Sequence, residues 1–458
     1  MSFPAYPAYK KSDVEWLGEV PEHWILTPLK HLALLNPRKS GYDGDTEQLC
    51  SFVPMEKLKA GVVQLDDERP IGEVIGGYTY FEDGDVLQAK VTPCFENKNI
   101  AIAKGLANGI GFGSSEINVL RPYQGVNAEY LYYRVQEDSY MDFCTSSMIG
   151  AGGLKRVPTD VINNFKVATP EVFEQTQIAR FLDHETARID ALIEEQQRLI
   201  ELLKEKRQAL ISHAVTKGLD PTVPMKDSGV EWLGEVPAHW DVVPTNYRYE
   251  IQLGRMLNEQ RAQGDHLKPY LRVFDVQWNA INTTDLPLMD FPPEAQSMYR
   301  LKSGDLMVNE GGSYVGRSAI WRGDLDECYY QKALHRLRPR DVKSDTAEFF
   351  LHVMEMATQQ GVFVAGGNQT TIDHLTAEQL RQYRFAFPPL EEQLQIAEKV
   401  TEVVSKIQNT TSEAEQLIGY LKERRSALIS AAVTGKIDVR GWQPPASAPT
   451  PELAQEAV

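Results

Sequence analysis

The chain has 458 residues, 42% of them hydrophobic and 24% charged, and carries a formal net charge of −17 at pH 7. This composition is typical of a soluble globular protein of two to four domains, and it excludes collagen-like, coiled-coil-only and wholly disordered chains. The acidic balance argues against a simple basic nucleic-acid binder, although a binding face can be locally basic on an acidic body. The sequence has neither a signal-peptide pattern nor an apolar run of the about 18–20 residues that span a bilayer, which predicts a cytoplasmic protein.

The start of the chain contains a segment that returns in its second half. Residues 14–21 read VEWLGEVP, and the same eight letters recur at 230–237, followed in both places by a His-Trp pair after one intervening residue. The two matches start 216 residues apart. A period of that length predicts two domain-sized copies rather than a solenoid. Because the letters between the matched segments diverge, we interpret the copies as two related recognition modules for two different targets. An old duplication that has drifted is the alternative.

Two further matches predict a pair of long helices. Residues 174–179 (EQTQIA) correspond to 392–397 (EQLQIA), and residues 203–212 correspond to 421–430 with eight of ten letters unchanged. Alternating steps of four and three residues between apolar positions form a heptad seam, which favours pairing of the two helices as an antiparallel coiled coil. At 1.5 Å per residue, about 40 residues give a length of about 60 Å. The predicted seam residues are Ile178, Leu182, Ile189, Leu192, Leu199, Leu203, Leu210, Ile396, Val400, Val403, Ile407, Leu417, Leu421 and Leu428. Two unrelated surface helices are the alternative, which leaves the shared register unexplained.

The regions between the matched segments mix short β-like runs, such as 86–89, with glycine and asparagine turns, which predicts α+β domains. The predicted organisation is an α+β domain at 12–170, a long helix at 171–217, a linker at 218–229, an α+β domain at 230–388, a long helix at 389–435 and a disordered, Pro/Ala-rich tail at 436–458.

A search for catalytic motifs predicts a binding protein without a metal site or cofactor of its own. The sequence contains no P-loop and no His-Glu-x-x-His motif, and its four cysteines include no Cys-x-x-Cys pair. Residues 109–113 are glycine-rich but lack the Gly-x-Gly-x-x-Gly spacing, so we predict a turn. Asp85 and Lys90 are arranged like part of a nuclease cluster, but the matching stretch from Asp305 has no lysine.

Together the repeated motifs resemble the specificity subunits of type I restriction-modification systems. The segments 170–179 and 388–397 resemble that family's entry into its long helix, and Trp16–Pro21 with its copy resembles the start of a target-recognition domain. Gly84-Asp85-Val86-Leu87 and Gly304-Asp305-Leu306-Met307 resemble the Gly-Asp strand of such a domain. The resemblance covers residues 12 to 435.

The resemblance implies a division of labour. Each target-recognition domain would read one half of a bipartite, asymmetric site on double-stranded DNA. The paired helices would set the spacing and dock two methyltransferase subunits, which use S-adenosylmethionine to methylate adenine N6. A separate ATP-driven restriction subunit would cleave the DNA, so this chain would be non-catalytic. An acidic DNA-mimic anti-restriction protein and a two-armed scaffold without DNA binding remain the alternatives; loops rich in Gly, Asn, Lys and Arg argue against the mimic.

Base edges in the major groove are read mainly by Arg, Lys, Asn and Gln. We therefore expect the DNA-binding residues among polar and basic side chains near the glycine turns. These are Lys90, Lys98, Asn99, Lys155 and Arg156 in the first domain, and Asn309, Ser313, Tyr314, Arg317, Asn368, Gln369 and Thr370 in the second. Trp16, Trp24, Trp232 and Trp240 lie in the shared segments, and we predict packing roles for them rather than base stacking.

Overall fold

The computed structural model describes residues 3–38, 44–256, 262–363 and 374–445, with Ser313 described by its backbone alone. The chain divides into two compact units: unit 1 contains residues 1–196 and 415–458, and unit 2 contains residues 197–414. Within the described ranges, no helix is long and apolar enough to cross a membrane.

Unit 1 is an α+β unit. Its strands are β1 (Tyr9–Lys11), β2 (Glu19–Pro21), β3 (Ile25–Pro28), β4 (Ala33–Leu35), β5 (Leu49–Val53), β6 (Leu58–Lys59), β7 (Val62–Val63), β8 (Glu68–Pro70), β9 (Thr79–Glu82), β10 (Val86–Ala89), β11 (Ile100–Ile102), β12 (Ile110–Gly113), β13 (Ile117–Pro122), β14 (Ile149–Ala151), β15 (Leu154–Arg156) and β16 (Lys166–Thr169). Its helices are α1 (Ile71–Val74), α2 (Ala128–Arg134), α3 (Asp138–Ser146), α4 (Thr159–Asn164) and the first part of α5 (Val172–Lys217).

Unit 2 is built from the same kinds of element. Its strands are β17 (Met225–Asp227), β18 (Glu235–Pro237), β19 (Asp241–Pro244), β20 (Tyr249–Leu253), β21 (Leu267–Leu271), β22 (Val276–Gln277), β23 (Ala280–Ile281), β24 (Leu288–Asp290), β25 (Leu306–Asn309), β26 (Ser318–Ile320), β27 (Tyr329–Tyr330), β28 (Leu334–Pro339) and β29 (Arg384–Phe387). Its helices are α6 (Thr245–Arg248), α7 (Pro293–Tyr299), α8 (Ala347–Gln359), α9 (Ala377–Gln382) and the first part of α10 (Leu390–Val433).

The two units share a sheet topology. A four-stranded sheet has the order β11-β10-β13-β4 in unit 1 and β26-β25-β28-β20 in unit 2, and its Gly-Asp strand, β10 or β25, lies inside the sheet. A second sheet contains one parallel pair in each unit, β5 with β12 and β21 with β27. Strands β10 and β25 are completely buried, as expected for strands covered on both faces. The predicted α+β class and internal repeat are therefore confirmed.

The long helices pair inside each unit. In unit 1, Ile178, Leu182 and Ile189 of α5 share a buried cluster with residues of α10 that include Leu421 and Leu428. Gln177 donates to the Trp442 carbonyl and Asp190 pairs with Arg425 at 2.9 Å, which gives the antiparallel direction. In unit 2, the other ends of the helices meet in a cluster that contains Ile211, Ala214, Val215, Ile396 and Val400.

The predicted seam is wrong at three positions. Leu192, Leu199 and Leu417 are 46%, 37% and 44% exposed, whereas Ile407 and Leu421 are buried. These three residues lie in the middle of the helices, away from the ends that the globular clusters cover. A straight helix also drifts by about 20° per heptad from a 3.5-residue repeat, so positions of one heptad class leave the contact face. Leu203, Leu210 and Val403 are half-buried.

Two other predictions need correction. The predicted disordered tail includes residues 436–445, which are ordered: Val439 is buried and the Asp438 amide donates to the Pro4 carbonyl at 2.7 Å. Residues 110–113 form strand β12 rather than the predicted turn, whereas Gly109 ends a short 3-10 helix. The Phe81 ring occupies the space where a side chain at position 111 would lie, which requires glycine there. The boundary predicted at residue 12 is also late, since β1 and the buried Tyr6 belong to the same unit.

Candidate nucleic-acid interface

The repeated segments form a polar anchor at the start of each long helix. In unit 1, one Glu174 carboxylate oxygen accepts hydrogen bonds from Trp24 Nε1 at 3.0 Å and from the Tyr6 hydroxyl at 2.7 Å, and the other lies 2.8 Å from His23 Nε2. Burial and the adjacent Glu174 carboxylate raise the pKa of Tyr6, so its hydroxyl stays protonated as a donor. The anchor therefore satisfies the polar atoms of two buried aromatic side chains.

The same anchor recurs in unit 2. Glu392 accepts from Trp240 Nε1 at 3.1 Å, and its second oxygen lies 2.8 Å from His239 Nε2. The repeated His-Trp pair and the repeated glutamate are thus two halves of one structural device. The predicted packing role of Trp24 and Trp240 is confirmed, since both are completely buried. Trp16 stacks on Phe165, and Trp232 packs edge-on against Phe385.

The glutamine that follows each anchor fixes the adjoining domain. Gln175 accepts from the Asn127 amide at 3.0 Å and donates to the Pro170 carbonyl at 2.9 Å. Gln393 accepts from the Thr346 amide and donates to the Pro388 carbonyl at the same two distances. Asn127 and Thr346 are the N-cap residues of α2 and α8. The long helix in each unit is therefore tied to the start of a domain helix.

The Gly-Asp motif supports its strand through an internal ion pair. Asp85 accepts two hydrogen bonds of 2.8 Å from Arg121, and Asp305 accepts two from Arg338 at 2.6 and 2.7 Å. Both aspartates are buried. Because the bidentate ion pair with Arg121 occupies the carboxylate, Asp85 has a structural role. The nuclease-like spacing of Asp85 and Lys90 therefore does not mark a catalytic site.

Polar and basic residues gather where β10 ends. Lys90 lines a recess of about 490 Å³ together with Asn36, Pro37, Arg38, Tyr78, Thr79, Tyr80, Ser115 and Ile117. Sequence reasoning predicted Lys90 but missed Asn36 and Arg38. No local signal marks these two residues, because the fold brings them to Lys90 from about fifty positions earlier in the chain.

The hairpin of β14 and β15 adjoins this recess. Val91 forms a β-bridge with Arg156, and Thr92 Oγ1 accepts from the Lys155 amide at 3.0 Å. Lys155 and Arg156 are exposed, and their strand lies beside the segment that follows Lys90. Two hydrogen bonds of 2.9 Å from Arg156 hold the pKa of Glu116 below its ordinary value. Arg156 is thus partly engaged within the protein.

Lys98 is a structural residue, contrary to its predicted role in DNA binding. Its ammonium group donates to the Gln136 carbonyl at 2.9 Å and to Ser426 of α10 at 3.1 Å, and it pairs with Asp138 at 3.2 Å. These contacts tie the domain to α10 inside unit 1. The neighbouring Asn99 is half-buried, and its backbone pairs with Cys94 and Ala89.

The predicted residues of unit 2 divide into three groups. Asn309 is completely buried and donates to the Val276 carbonyl at 3.2 Å. The prediction that Asn309 contacts DNA directly is therefore wrong. Tyr314 and Arg317 are half-buried and lie together, with the guanidinium 4.6 Å from the ring centroid. The backbone of Ser313 lies in the same short 3-10 helix as Tyr314. Asn368, Gln369 and Thr370 fall outside the described residues.

Other polar residues of unit 2 were not predicted. Arg317 donates to Gln277, a residue that the sequence gives no reason to single out. His335 is buried, and this burial lowers its pKa to about 4, so the ring is neutral at pH 7 and Nε2 lies 2.7 Å from the Leu375 carbonyl. Among the described residues, no group of three or more His, Cys, Asp or Glu side chains is arranged to hold a metal ion.

Comparison with known proteins yields a consistent set of relatives. A family model described as "Type I restriction modification DNA specificity domain" matches residues 250–418. The EcoEI specificity subunit of Escherichia coli is 37% identical over 175 residues, which are 38% of this chain and 29% of that protein. The alignment thus spans less than a third of that relative. The MjaVIII specificity subunit of Methanocaldococcus jannaschii is 22% identical over 87% of this chain and 94% of its own length.

Two solved structures share the fold. A chain from a structural study of complex assembly and conformational transition in the type I R-M system aligns with a TM-score of 0.68 and 18% identity, covering 90% of this chain and 98% of the other. The HsdS subunit from Thermoanaerobacter tengcongensis aligns with a TM-score of 0.57 and 17% identity, covering 91% and 98%. At these identities the likeness concerns the fold alone.

Proposed function

We propose that this chain, which belongs to the family of type I restriction-modification specificity subunits, supplies the DNA sequence recognition of such a complex. The domain of each unit reads one half of a bipartite, asymmetric site on double-stranded DNA. The observation that carries the proposal is that the two units share their structural contacts but differ in the side chains that could contact DNA. The anchors at Glu174 and Glu392 and the Gly-Asp ion pairs are alike in both units, whereas the side chains at the ends of β10 and β25 differ.

The long helices serve the assembly. They dock two methyltransferase subunits, and a separate restriction subunit completes the complex. S-adenosylmethionine and ATP act in those partners, and this chain is non-catalytic and works in the cytoplasm beside the DNA. Since partners can supply positive charge along the phosphate backbone, a net charge of −17 is compatible with this role. The family relationship favours DNA reading over a DNA-mimic inhibitor or a scaffold.

A domain exchange tests this function. Residues 230–384 are replaced by the corresponding domain of another type I specificity subunit, and the hybrid is co-expressed with the methyltransferase subunits. Methylated adenines are then mapped by single-molecule sequencing. We expect one half of the methylated motif to change and the half read by residues 12–165 to stay the same.

The reciprocal exchange of residues 12–165 is the matched control and should change the other half only. A change in both halves after a single exchange would refute the assignment of one half-site to each domain. Methylation by the purified chain without partner subunits would refute its non-catalytic role.

A further inference from the structure

One position is equivalent in the two units although its residue differs. The Lys90 amide donates to the Glu116 carbonyl at 2.9 Å, and the Lys90 carbonyl accepts from Val157 at 3.0 Å. The Glu310 amide donates to the Ala333 carbonyl at 3.0 Å, and the Glu310 carbonyl accepts from Leu375 at 2.6 Å. Each residue directly follows its Gly-Asp strand, β10 or β25.

The residue after each of these continues the equivalence. Val91 forms an antiparallel bridge with Arg156, and Gly311 forms one with His374. Lys90 and Glu310 therefore occupy the same junction, between the central sheet and the segment that leads to α4 or α9. The backbone frame holds both residues in the same way, so the difference between the two units at this position lies in the side chain alone.

The two side chains carry opposite charge and are available for an external ligand. Both are half-buried, and within the described part of the chain neither the Lys90 ammonium nor the Glu310 carboxylate forms a hydrogen bond or ion pair. Lys90 lies near the Glu116 carboxylate, which Arg156 already binds. Other charges predicted to bind DNA are occupied: Lys98 by Asp138 and Arg156 by Glu116. An unpaired, partly desolvated charge at a strand end is a costly arrangement unless a partner completes it.

The surroundings of the two side chains differ. Lys90 lines the recess that also contains Asn36, Arg38 and Ser115, so this junction is rich in hydrogen-bond donors. Near Glu310, burial raises the pKa of its carboxyl, while the charges of His374 and Lys332 act in the opposite direction. In its ionised form the Glu310 carboxylate accepts hydrogen bonds, whereas the equivalent Lys90 ammonium donates them.

We propose that Lys90 and Glu310 are the equivalent base-reading residues of the two domains and that they read opposite hydrogen-bonding patterns. Lys90 donates to acceptor atoms of a purine edge, for which guanine O6 and N7 are the favoured target of lysine. Glu310 accepts from the exocyclic amino group of a base, as glutamate does from cytosine N4. The inference rests on the proposed function and adds to it the residue and the base chemistry of one position in each half-site.

Charge reversal at each position is the test. Glu310→Lys and Lys90→Glu are introduced separately into the full chain, which is co-expressed with the methyltransferase subunits, and the methylated motif is mapped by sequencing. We expect Glu310→Lys to replace an amino-bearing base by an acceptor-bearing base at one position of one half-site. Methylation of the original site should fall about tenfold or more. Lys90→Glu should produce the opposite replacement in the other half-site.

Milder variants keep the test valid if charge reversal prevents folding. Glu310→Gln and Lys90→Met preserve side-chain length and should each weaken discrimination at the same single position, about tenfold or more. Glu235→Gln and Lys166→Met remove the same charges from exposed sites of β18 and β16, outside the long helices, and should leave the motif unchanged. Thermal unfolding followed by circular dichroism identifies variants that are misfolded.

The outcomes separate the two proposals. A bipartite motif in the wild-type complex supports the proposed function before any variant is read. If that motif is present and folded variants at Lys90 and Glu310 leave it unchanged, or alter both halves, the base-reading inference is overturned alone. A wild-type complex without a bipartite motif overturns both proposals.

Discussion

At the scale of single residues, the shared letters of the two copies are explained by hydrogen bonds. Glu174 and Glu392 each receive an indole N–H and a histidine ring, and in unit 1 the Tyr6 hydroxyl joins them. The Glu174 side chain is 8% exposed and that of Glu392 is 25% exposed. Removing a buried acceptor leaves its donors unsatisfied, at about 1–3 kcal/mol for each group.

We expect Glu174→Ala to lower the free energy of unfolding by about 3 kcal/mol, because two buried donors lose their acceptor. Glu392→Ala should cost less, since its carboxylate is more exposed and receives one indole N–H. Urea unfolding of the full chain, followed by tryptophan fluorescence, measures both values. Glu171→Ala changes an exposed glutamate next to the same helix start and should have an effect within about 0.5 kcal/mol. Equal costs for Glu171 and Glu174 would contradict the anchor.

At the scale of elements, the long helices differ along their length. Their ends contribute to the clusters of the globular domains, with Ile178 and Leu182 at one end of α5 and Ile211 and Val215 at the other. Near the middle, exposed leucines alternate with buried residues. The stability of the helix pair therefore comes from its ends and from selected positions such as Ile407, rather than from a continuous seam.

Two leucines one turn apart on α10 test this description. Leu421 is 8% exposed and Leu417 is 44% exposed. Leu421→Ala should lower the free energy of unfolding by about 2–3 kcal/mol, near the lower end of the range for buried leucine, whereas Leu417→Ala should cost less than about 1 kcal/mol. Urea unfolding of the two variants provides the comparison, with each serving as the other's control. A larger cost at Leu417 would restore the continuous seam.

At the scale of the whole molecule, each unit combines one domain with parts of both long helices. Unit 1 takes α5 up to residue 196 and α10 from residue 415, and unit 2 takes the remaining parts. Both helices are thus continuous between the units, with 46 residues in α5 and 44 in α10. We propose that this shared length determines the gap between the two half-sites.

Lengthening both helices tests the proposed spacing role. One heptad inserted after residue 196 and one inserted after residue 414 add about 10 Å at 1.5 Å per residue. At 3.4 Å per base pair along a strand, the gap in the methylated motif should grow by about three base pairs. Sequencing of methylated sites measures the gap. An insertion in α5 alone is the control and should disrupt the pairing, because the two helices no longer match; an unchanged gap after the double insertion would contradict the proposal.

Much of the architecture could be predicted from the sequence because it is recorded in local patterns. The repeat, the two helices and the Gly-Asp strands are read from contiguous segments or from a regular spacing, and the His-Trp pairs mark a frame that both units share. The exact repetition of Trp24 as Trp240 was sufficient to predict a packing role. Such features follow from propensity and periodicity, which act over a few residues.

Tertiary structure decided which polar residues are available. Asn309 and Lys98 are residue types that commonly contact DNA. In the folded chain, however, Asn309 is buried and Lys98 pairs with Asp138. Lys90 and Glu310 each lie five residues after the aspartate of the Gly-Asp motif, and backbone hydrogen bonds to distant strands show that the two positions are also structurally equivalent. Burial and pairing depend on segments that meet only in the folded chain, and this is why the sequence by itself determined the frame of this protein and the fold selected its candidate reading residues.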